Sequence, residues 1–398
     1  MPARSIDDAP FIDIFGPDFM ADPAPIMAEV RSRSWLARTP IGAIVVGRNQ
    51  VQTLLGDRRL RSAIPELMRL QGVADGPVAE SMEGSVLALE GEPHTRLRRL
   101  VSRAFTPRAV DRHRDDMRAI LAQLLEPVAS TGRCEFVSAV ADHYPIQVMC
   151  RLLGVPEEDH DDFARWNSAI TWALSFSLGE HMEEVEWGME QMGAYVDGLI
   201  ADRRRQPRDD LVTGLVQAEE ANDHLTDVEI ASMISALLFA GYDTTRNQLG
   251  LGMWVFAQHP GQWKQLGEDP SLVAPAVEEM LRFRPPVSGT PRLVIEDFEY
   301  DGYQFQAGTI LMLSLISANN DPDLYTHPME FDITAERKPH ITFGSGPHYC
   351  LGASLARAEL QEALPLLVAA MPDLALDGEP TWRPPVGIYG PESLPLRF

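Results

Sequence analysis

Cysteine is scarce in this chain of 398 residues, which carries only Cys134, Cys150 and Cys350. Thiols so few and so widely spaced give no hint of a disulfide framework, and a reducing compartment, the cytoplasm, is the expected setting. No apolar run approaches the ~20 residues needed to span a bilayer. The opening stretch MPARSIDDAPFIDIFG lacks the apolar core of a secretory signal. Repeats of fixed period and compositional bias toward disorder are missing as well. Positive charge is also short. A formal net charge of −24 argues against nucleic acid as a partner, because phosphate recognition needs a basic face.

What remains is an ordinary globular composition, 45% hydrophobic and 23% charged, with ample apolar material for a large core. The pattern reads as one unit over residues 1–398, mainly α with smaller β-sheets. Its β-rich parts fall at about 35–60 and 290–340, and the remainder is helical. The stretch from Trp35 to Gly47 alternates β-branched residues about a Pro-Ile-Gly break, which predicts a hairpin. Residues 62–85 show no period and are expected to form a long loop. Thr309 to Ala318 suits either a strand or a helix. From Leu351 to Met371 the period is helical, and Pro365 is expected to kink that helix or restart it.

Between Arg96 and Arg118 stand eight arginines against three aspartates, so the acidic chain carries one basic run. It is either a solvated helix face or a docking surface for an acidic protein. At its start His94 and Arg98 lie four apart on one helical face, either simply exposed or aimed together at one anion. A second cluster, Trp166 to Met192, is rich in tryptophan and methionine. Core packing accounts for most of it, and an adaptable pocket wall would use the same residues.

The strongest helix signal opens at the capping box Thr226-Asp-Val-Glu229 and runs to about Gln258, before His259-Pro260. Some 30 residues span about 45 Å at 1.5 Å each, enough to cross the molecule. Its middle, Ala240-Gly-Tyr-Asp243-Thr244-Thr245, is wrong for a plain buried helix. Glycine costs about 1 kcal/mol there relative to alanine, and the acid and alcohols need partners. The polar stretch marks a functional break offering an acid and an alcohol to a bound molecule. Alternatively, a threonine hydroxyl bonds back to a carbonyl one turn earlier.

The run Phe343-Gly344-Ser-Gly-Pro-His348-Tyr-Cys350-Leu-Gly frames the last cysteine with glycines just before a helix. Such a loop bends sharply and approaches another body closely. A sulfur at a helix N-terminus is favoured as thiolate. Three chemistries compete for Cys350: a nucleophile with His348 as base, a zinc ligand, for which the loop has too few partners, and the axial ligand of a haem iron.

The same ten residues resemble the cysteine-ligand signature of the cytochrome P-450 family at every defining position. Ala240 to Thr245 is similar to that family's oxygen-binding helix, and Glu279-Met-Leu-Arg282 to its Glu-x-x-Arg motif. His94-x-x-x-Arg98 and Pro291-Arg292 resemble its haem-propionate contacts. The motifs keep the family's order and cover essentially the whole chain, in the soluble bacterial form without a membrane anchor.

The resemblance implies a cytochrome P-450 fold with haem b (iron protoporphyrin IX) between the long central helix and the cysteine-loop helix. Cys350 would be the axial iron ligand, with Phe343 and Gly344 packed beside it. His94, Arg98, Arg292 and His348 would hold the propionates. Thr244 would hydrogen-bond to dioxygen during its activation, and Asp243 would relay protons from solvent. Ala236, Phe239, Ala240, Val287, Thr290 and Ile388 would line the substrate pocket, under a lid made from residues 62–85 and 175–186. Glu279 and Arg282 would be structural. The third member of their charge cluster is missing, since Ala335 stands where bacterial relatives often have arginine; Arg337, two residues on, is the available substitute. Asn320 likewise replaces an arginine in the segment before it.

The implied activity is monooxygenation of an apolar small molecule such as a lipid, steroid, terpenoid or polyketide. It would use O2 and electrons from a ferredoxin and ferredoxin reductase, in a monomeric cytoplasmic enzyme. A peroxide-driven variant fits less well, because the acid–alcohol pair is intact. Other classes are a haem protein that only binds or senses a ligand, and a cysteine hydrolase without haem.

Overall fold

A computed structural model describes residues 3–220, 223–385 and 387–398. The helix Asp227–Gln258 crosses the middle of the molecule. It starts where the capping box predicts. Thr226 accepts from the Glu229 N–H, and the Glu229 carboxylate accepts from the Thr226 N–H at 2.8 Å. It stops at His259 because Pro260 begins the next helix. Most of its residues are buried, and the helices Tyr144–Leu153, Met182–Arg205 and Ala353–Ala370 pack around it. Gly241 permits one of these approaches: a Cβ there would meet Met149 Sδ at 2.7 Å. Local helix propensity is given up for close packing.

Beside this helical body lies a five-stranded sheet, ordered Leu36–Thr39, Gly42–Val45, Ile310–Ser314, Gly289–Val294, Leu60–Ser62. The predicted hairpin forms its edge, with Leu36 opposite Val45. Ile310–Ser314 runs parallel to Gly42–Val45 and antiparallel to Gly289–Val294. Thr290 and Arg292 sit opposite Leu313 and Leu311. Being two apart, they share one face of the strand, and both reach the cavity described below.

The structure corrects several local expectations. Residues 62–85 hold two helices, Ile64–Leu70 and Pro77–Glu83. Seven residues are too few to display a helical period, and tertiary burial stabilises them instead. Met68, Val78, Ala79 and Met82 form an apolar cluster with Ala173, Leu178 and Val185. The two expected lid segments therefore pack on one another. The ambiguous stretch 309–318 is both things in turn, a strand to Ser314 and a helix Leu315–Asn319 capped by the Ser314 hydroxyl. Pro365 lies inside an unbroken helix, Ala353–Ala370. Burial of Leu360, Ala363, Leu364 and Leu367 holds the helix through the lost hydrogen bond.

The central helix is also continuous through Ala240 to Thr245, where a break was expected. Its polar groups there are satisfied without interrupting the backbone ladder. Among the described residues, no helix is long and apolar enough to cross a membrane.

Candidate functional site

A cavity of about 440 Å³ lies between the central helix, the cysteine loop and the sheet. Ala236, Phe239, Ala240, Val287, Thr290 and Ile388 all line it. So do Thr244, Phe343, Gly344 and Cys350. An apolar arm of the same lining comes from Phe19, Met27, Ile41, Ile44 and Met312. No local pattern marks this arm in advance, because its walls come from the N-terminal helices and two strands far apart in the chain.

The cysteine loop is held at both ends. Cys350 N–H donates to Phe343 O at 2.9 Å, and Gly344 and Gly346 take φ of +73° and +71°. A Cβ on Gly346 would press against the backbone of Leu55 and Gly56 at 3.0–3.4 Å, so this glycine seats the loop on the neighbouring turn. Burial pushes the Cys350 thiol up; a hydrogen bond from Gly352 N–H and the Arg98 and Arg357 cations pull only partly against it. Burial thus opposes the thiolate that the helix start was expected to favour. A thiolate here needs a cation bound at the sulfur.

Beside the cavity stand four basic side chains. The rings of His94 and His348 lie 4.2 Å apart, and His348 Nε2 is 3.0 Å from Glu90 Oε2. Arg98 donates to Tyr349 O at 2.6 Å, and Arg292 to Thr290 Oγ1 and Pro291 O at 3.0 Å. Arg98, Arg292 and His348 reach the cavity wall, whereas His94 stands behind them. Burial, followed by the neighbouring His348 and Arg98 cations, pushes the His94 imidazolium down to about 4. His94 Nε2 is buried with no hydrogen-bond partner among the described residues. Burial opposes ionisation of Glu90, yet His348, the Ser62 N–H and Arg292 hold its carboxyl below the usual range.

These residues fit haem. An apolar slot with a cysteine sulfur on its wall suits a flat macrocycle. Two arginines, two histidines and an orphaned ring nitrogen suit a pair of carboxylates. Among the described residues, no group of three or more His, Cys, Asp or Glu could hold a metal ion alone.

Asp243 and Thr244 face different spaces. Thr244 lines the large cavity, and its hydroxyl donates to Ala240 O at 2.6 Å. This is the back-bonded alternative; the oxygen keeps acceptor capacity toward the cavity. Asp243, almost fully buried, accepts from Arg383 at 2.7 Å and from Asn247 Nδ2 at 3.1 Å. With Arg383, Thr171 and Ser177 it lines a second, mostly apolar cavity of about 150 Å³, large enough for water.

Behind the site Glu279 and Arg282 form a buried two-pronged pair at 2.7 and 2.8 Å. Arg337 reaches the same carboxylate at 3.2 Å and takes the place left by Ala335. Arg282 also donates to Asn320 Oδ1 at 3.1 Å, so the substituted asparagine joins the network as an acceptor. The basic run is partly neutralised, since Arg96 pairs with Glu229, and Arg114 and Arg118 with Glu362.

Sequence reasoning missed Arg383, Asn247 and Glu359. Glu359 lines the large cavity from the helix Ala353–Ala370, and its carboxylate oxygens are buried with no hydrogen-bond partner among the described residues. Burial pushes its carboxyl up to about 8, opposed only in part by the nearby Thr245 hydroxyl. A carboxylate between Ala358 and Leu360 on an apolar helix was a readable signal. Nothing in the sequence pointed to Arg383.

A family profile described as Cytochrome P-450 matches residues 71–370. Luteothin monooxygenase of Streptomyces thioluteus is 39% identical over 98% of this chain and 96% of its own. Among solved structures, the Bacillus subtilis 168 bacillaene polyketide synthase cytochrome P-450 PksS is 32% identical. It superposes with a TM-score of 0.89 over 97% of this chain and 99% of that one. The BioI cytochrome P-450, in complex with hexadec-9Z-enoic acid ligated acyl carrier protein, is also 32% identical. Its TM-score is 0.88 over 96% of this chain and all of that one.

Proposed function

The chain belongs to the cytochrome P-450 family and is a haem-dependent monooxygenase, and we propose that it oxidises an extended apolar small molecule with protons supplied through Asp243 and Thr244. The observation that carries this reading is the convergence of Cys350, Thr244 and an apolar cavity in one space, with Asp243 directly behind it.

When bound, haem b supplies dioxygen activation and accepts electrons at its iron, and the Cys350 thiolate donates electron density that favours O–O cleavage. The chain does the rest. Arg98, Arg292 and His348 would hold the propionates by charge-assisted hydrogen bonds, and His94 behind them would offer its unpartnered Nε2. Thr244 presents its hydroxyl to the reacting space. Asp243 takes protons from the small cavity and passes them toward Thr244, which keeps bulk water away from the substrate. Phe239, Val287 and Ile388 exclude water and orient the substrate by apolar contact.

The substrate reading rests on the arm lined by Phe19, Met27, Ile41, Ile44 and Met312. No charged side chain lies among these five, so the arm suits a hydrocarbon tail or polyene rather than an acid. The name of one relative, the cytochrome P-450 of a bacillaene polyketide synthase, favours a polyketide-like member of that class.

Electrons come from a ferredoxin and its reductase. Arg99, Arg103, Arg108 and Arg112 are exposed on the basic run. Arg98 ties the helix Gly91–Val101 to the cysteine loop at Tyr349, so an acidic partner drawn to that run approaches the cysteine side. The enzyme works as a cytoplasmic monomer.

Three measurements test this. Reduction under carbon monoxide must give a thiolate-type band, and apolar polyketide-like ligands must shift the iron from low to high spin. In Thr244→Ala, haem should be retained while reducing equivalents go to hydrogen peroxide; unchanged product per electron would refute the proton route.

A further inference from the structure

On the outer side of the cysteine loop, Arg357 lies with its guanidinium carbon 4.5 Å from the centre of the Phe343 ring. Its position is fixed by Glu278. Arg357 Nε donates to Glu278 Oε1 at 2.6 Å and Nη2 to Oε2 at 3.0 Å, a two-pronged geometry that allows the head group little freedom. A third group completes the cluster. The Thr342 N–H donates to His340 Nδ1 at 3.2 Å, which leaves the ring proton on Nε2, 3.1 Å from Glu278 Oε2. Three pieces of chain are tied together here: the helix Val273–Phe283, the segment entering the loop, and the helix leaving it.

Phe343 lines the cavity beside Cys350 and accepts the Cys350 N–H through its carbonyl. Arg357 does not line the cavity; it reaches the aromatic ring from behind. The Glu279–Arg282 network one residue along the same helix explains the fold of this region without using Glu278. The Glu278–Arg357 pair is partly exposed, so it is not needed to fill a core. Its distinctive feature is that a cation is held against the ring of the residue whose carbonyl takes the cysteine's backbone hydrogen bond.

We propose that Glu278 and Arg357 are positioning residues that set the electrostatic field at the Cys350 sulfur through Phe343, and thereby the ease with which the iron accepts its electron. Arg357 favours the reduced state by placing positive charge near the thiolate. Glu278 opposes it, but its larger task is to orient the guanidinium on the ring. The inference rests on haem ligation by Cys350 and goes beyond it by assigning two residues outside the cavity to the redox step.

The experiment is a spectroelectrochemical titration of the haem-loaded wild type, Arg357→Gln, Arg357→Lys and Glu278→Gln, each with its reduced carbon monoxide spectrum. Arg357→Gln should shift the one-electron equilibrium toward the ferric form by about threefold, roughly 28 mV at 59 mV per decade. Glu278→Gln should shift it the other way by a similar or smaller factor. Arg357→Lys keeps the charge but not the planar fork, and should stay closer to the wild type than Arg357→Gln does. Should Arg357→Gln fail to fold, opposite displacement in Glu278→Gln and near-wild-type behaviour in Arg357→Lys support the proposal equally. Retained thiolate bands with unmoved potentials, or with all variants displaced in one direction, overturn the inference alone. Absence of the band in the wild type overturns haem ligation, and the inference with it.

Discussion

Asp243 and Arg383 stand 140 positions apart in the chain and meet at 2.7 Å. The carboxylate is almost wholly buried, while the arginine keeps some contact with solvent. An acid set in the middle of a helix is thus held from outside that helix, by the residue that follows the short strand Thr381–Trp382 near the C-terminus. Asn247, one turn on, supplies the second hydrogen bond.

Arg383→Gln removes the cation from this pair. The orientation of the buried carboxylate then rests on Asn247 alone. Product formed per electron consumed should fall several-fold, with a larger solvent deuterium effect and little change in ligand-induced spin shift. Unchanged coupling would show that Asp243 works without its arginine.

Glu359 should make the protein less stable in alkali. Its folded pKa, about 8, lies above the unfolded carboxyl value of 4.5. The unfolded chain therefore sheds a proton that the folded one keeps, and stability falls between about pH 4.5 and 8. The limiting slope is about 1.4 kcal/mol per pH unit. Glu359→Gln removes that dependence, so its melting temperature relative to the wild type should be higher at pH 8 than at pH 5.

His94 carries the opposite sign in the haem-free protein. Its folded pKa is depressed to about 4 from 6.5, so its contribution is present above pH 6.5 and is lost as pH falls through 4. Under the proposed haem binding its buried, unpartnered Nε2 would gain a propionate. His94→Phe should release haem to an acceptor protein at least tenfold faster, as loss of a hydrogen bond to a charged group, worth about 1.5–3 kcal/mol, requires.

Within the buried charge cluster the three members are unequal. Glu279→Gln strands Arg282 in the interior, which costs about 3–5 kcal/mol. Arg337→Ala removes a longer contact at 3.2 Å from a less buried side chain and should cost about 1 kcal/mol. Urea unfolding of both variants would check the ratio.

Ile44→Trp fills part of the apolar arm without touching the walls near Thr244. Spin-state affinity for long-chain ligands should drop at least tenfold, while compact ligands bind as before. Equal loss for both would mean that the arm is not a substrate channel.

The parts of this molecule that could be read in advance are those whose causes are local. A capping box and thirty residues of regular apolar spacing announced the central helix to within a residue. The glycine-framed cysteine announced its loop, and the motifs carried the family. The helices Ile64–Leu70 and Pro77–Glu83 could not be read, because what stabilises them lies a hundred residues away at Ala173 to Val185. The same holds at the site. Thr244 and Cys350 belong to contiguous motifs, whereas the arginine on Asp243 and the cation on Phe343 arrive through tertiary contact.

The acid and the alcohol are adjacent in sequence yet open onto separate chambers, and among the described residues only Ser175, Phe176 and Ile388 border both. Redesign of the substrate wall at Ala236, Val287 or Thr290 can therefore proceed without disturbing the small cavity beside Asp243. Substitution at Phe176 or Ile388 cannot: a smaller side chain there would join the two volumes and turn an altered specificity into wasted reductant. Those positions are the ones to hold fixed in any effort to retrain this enzyme on a new molecule.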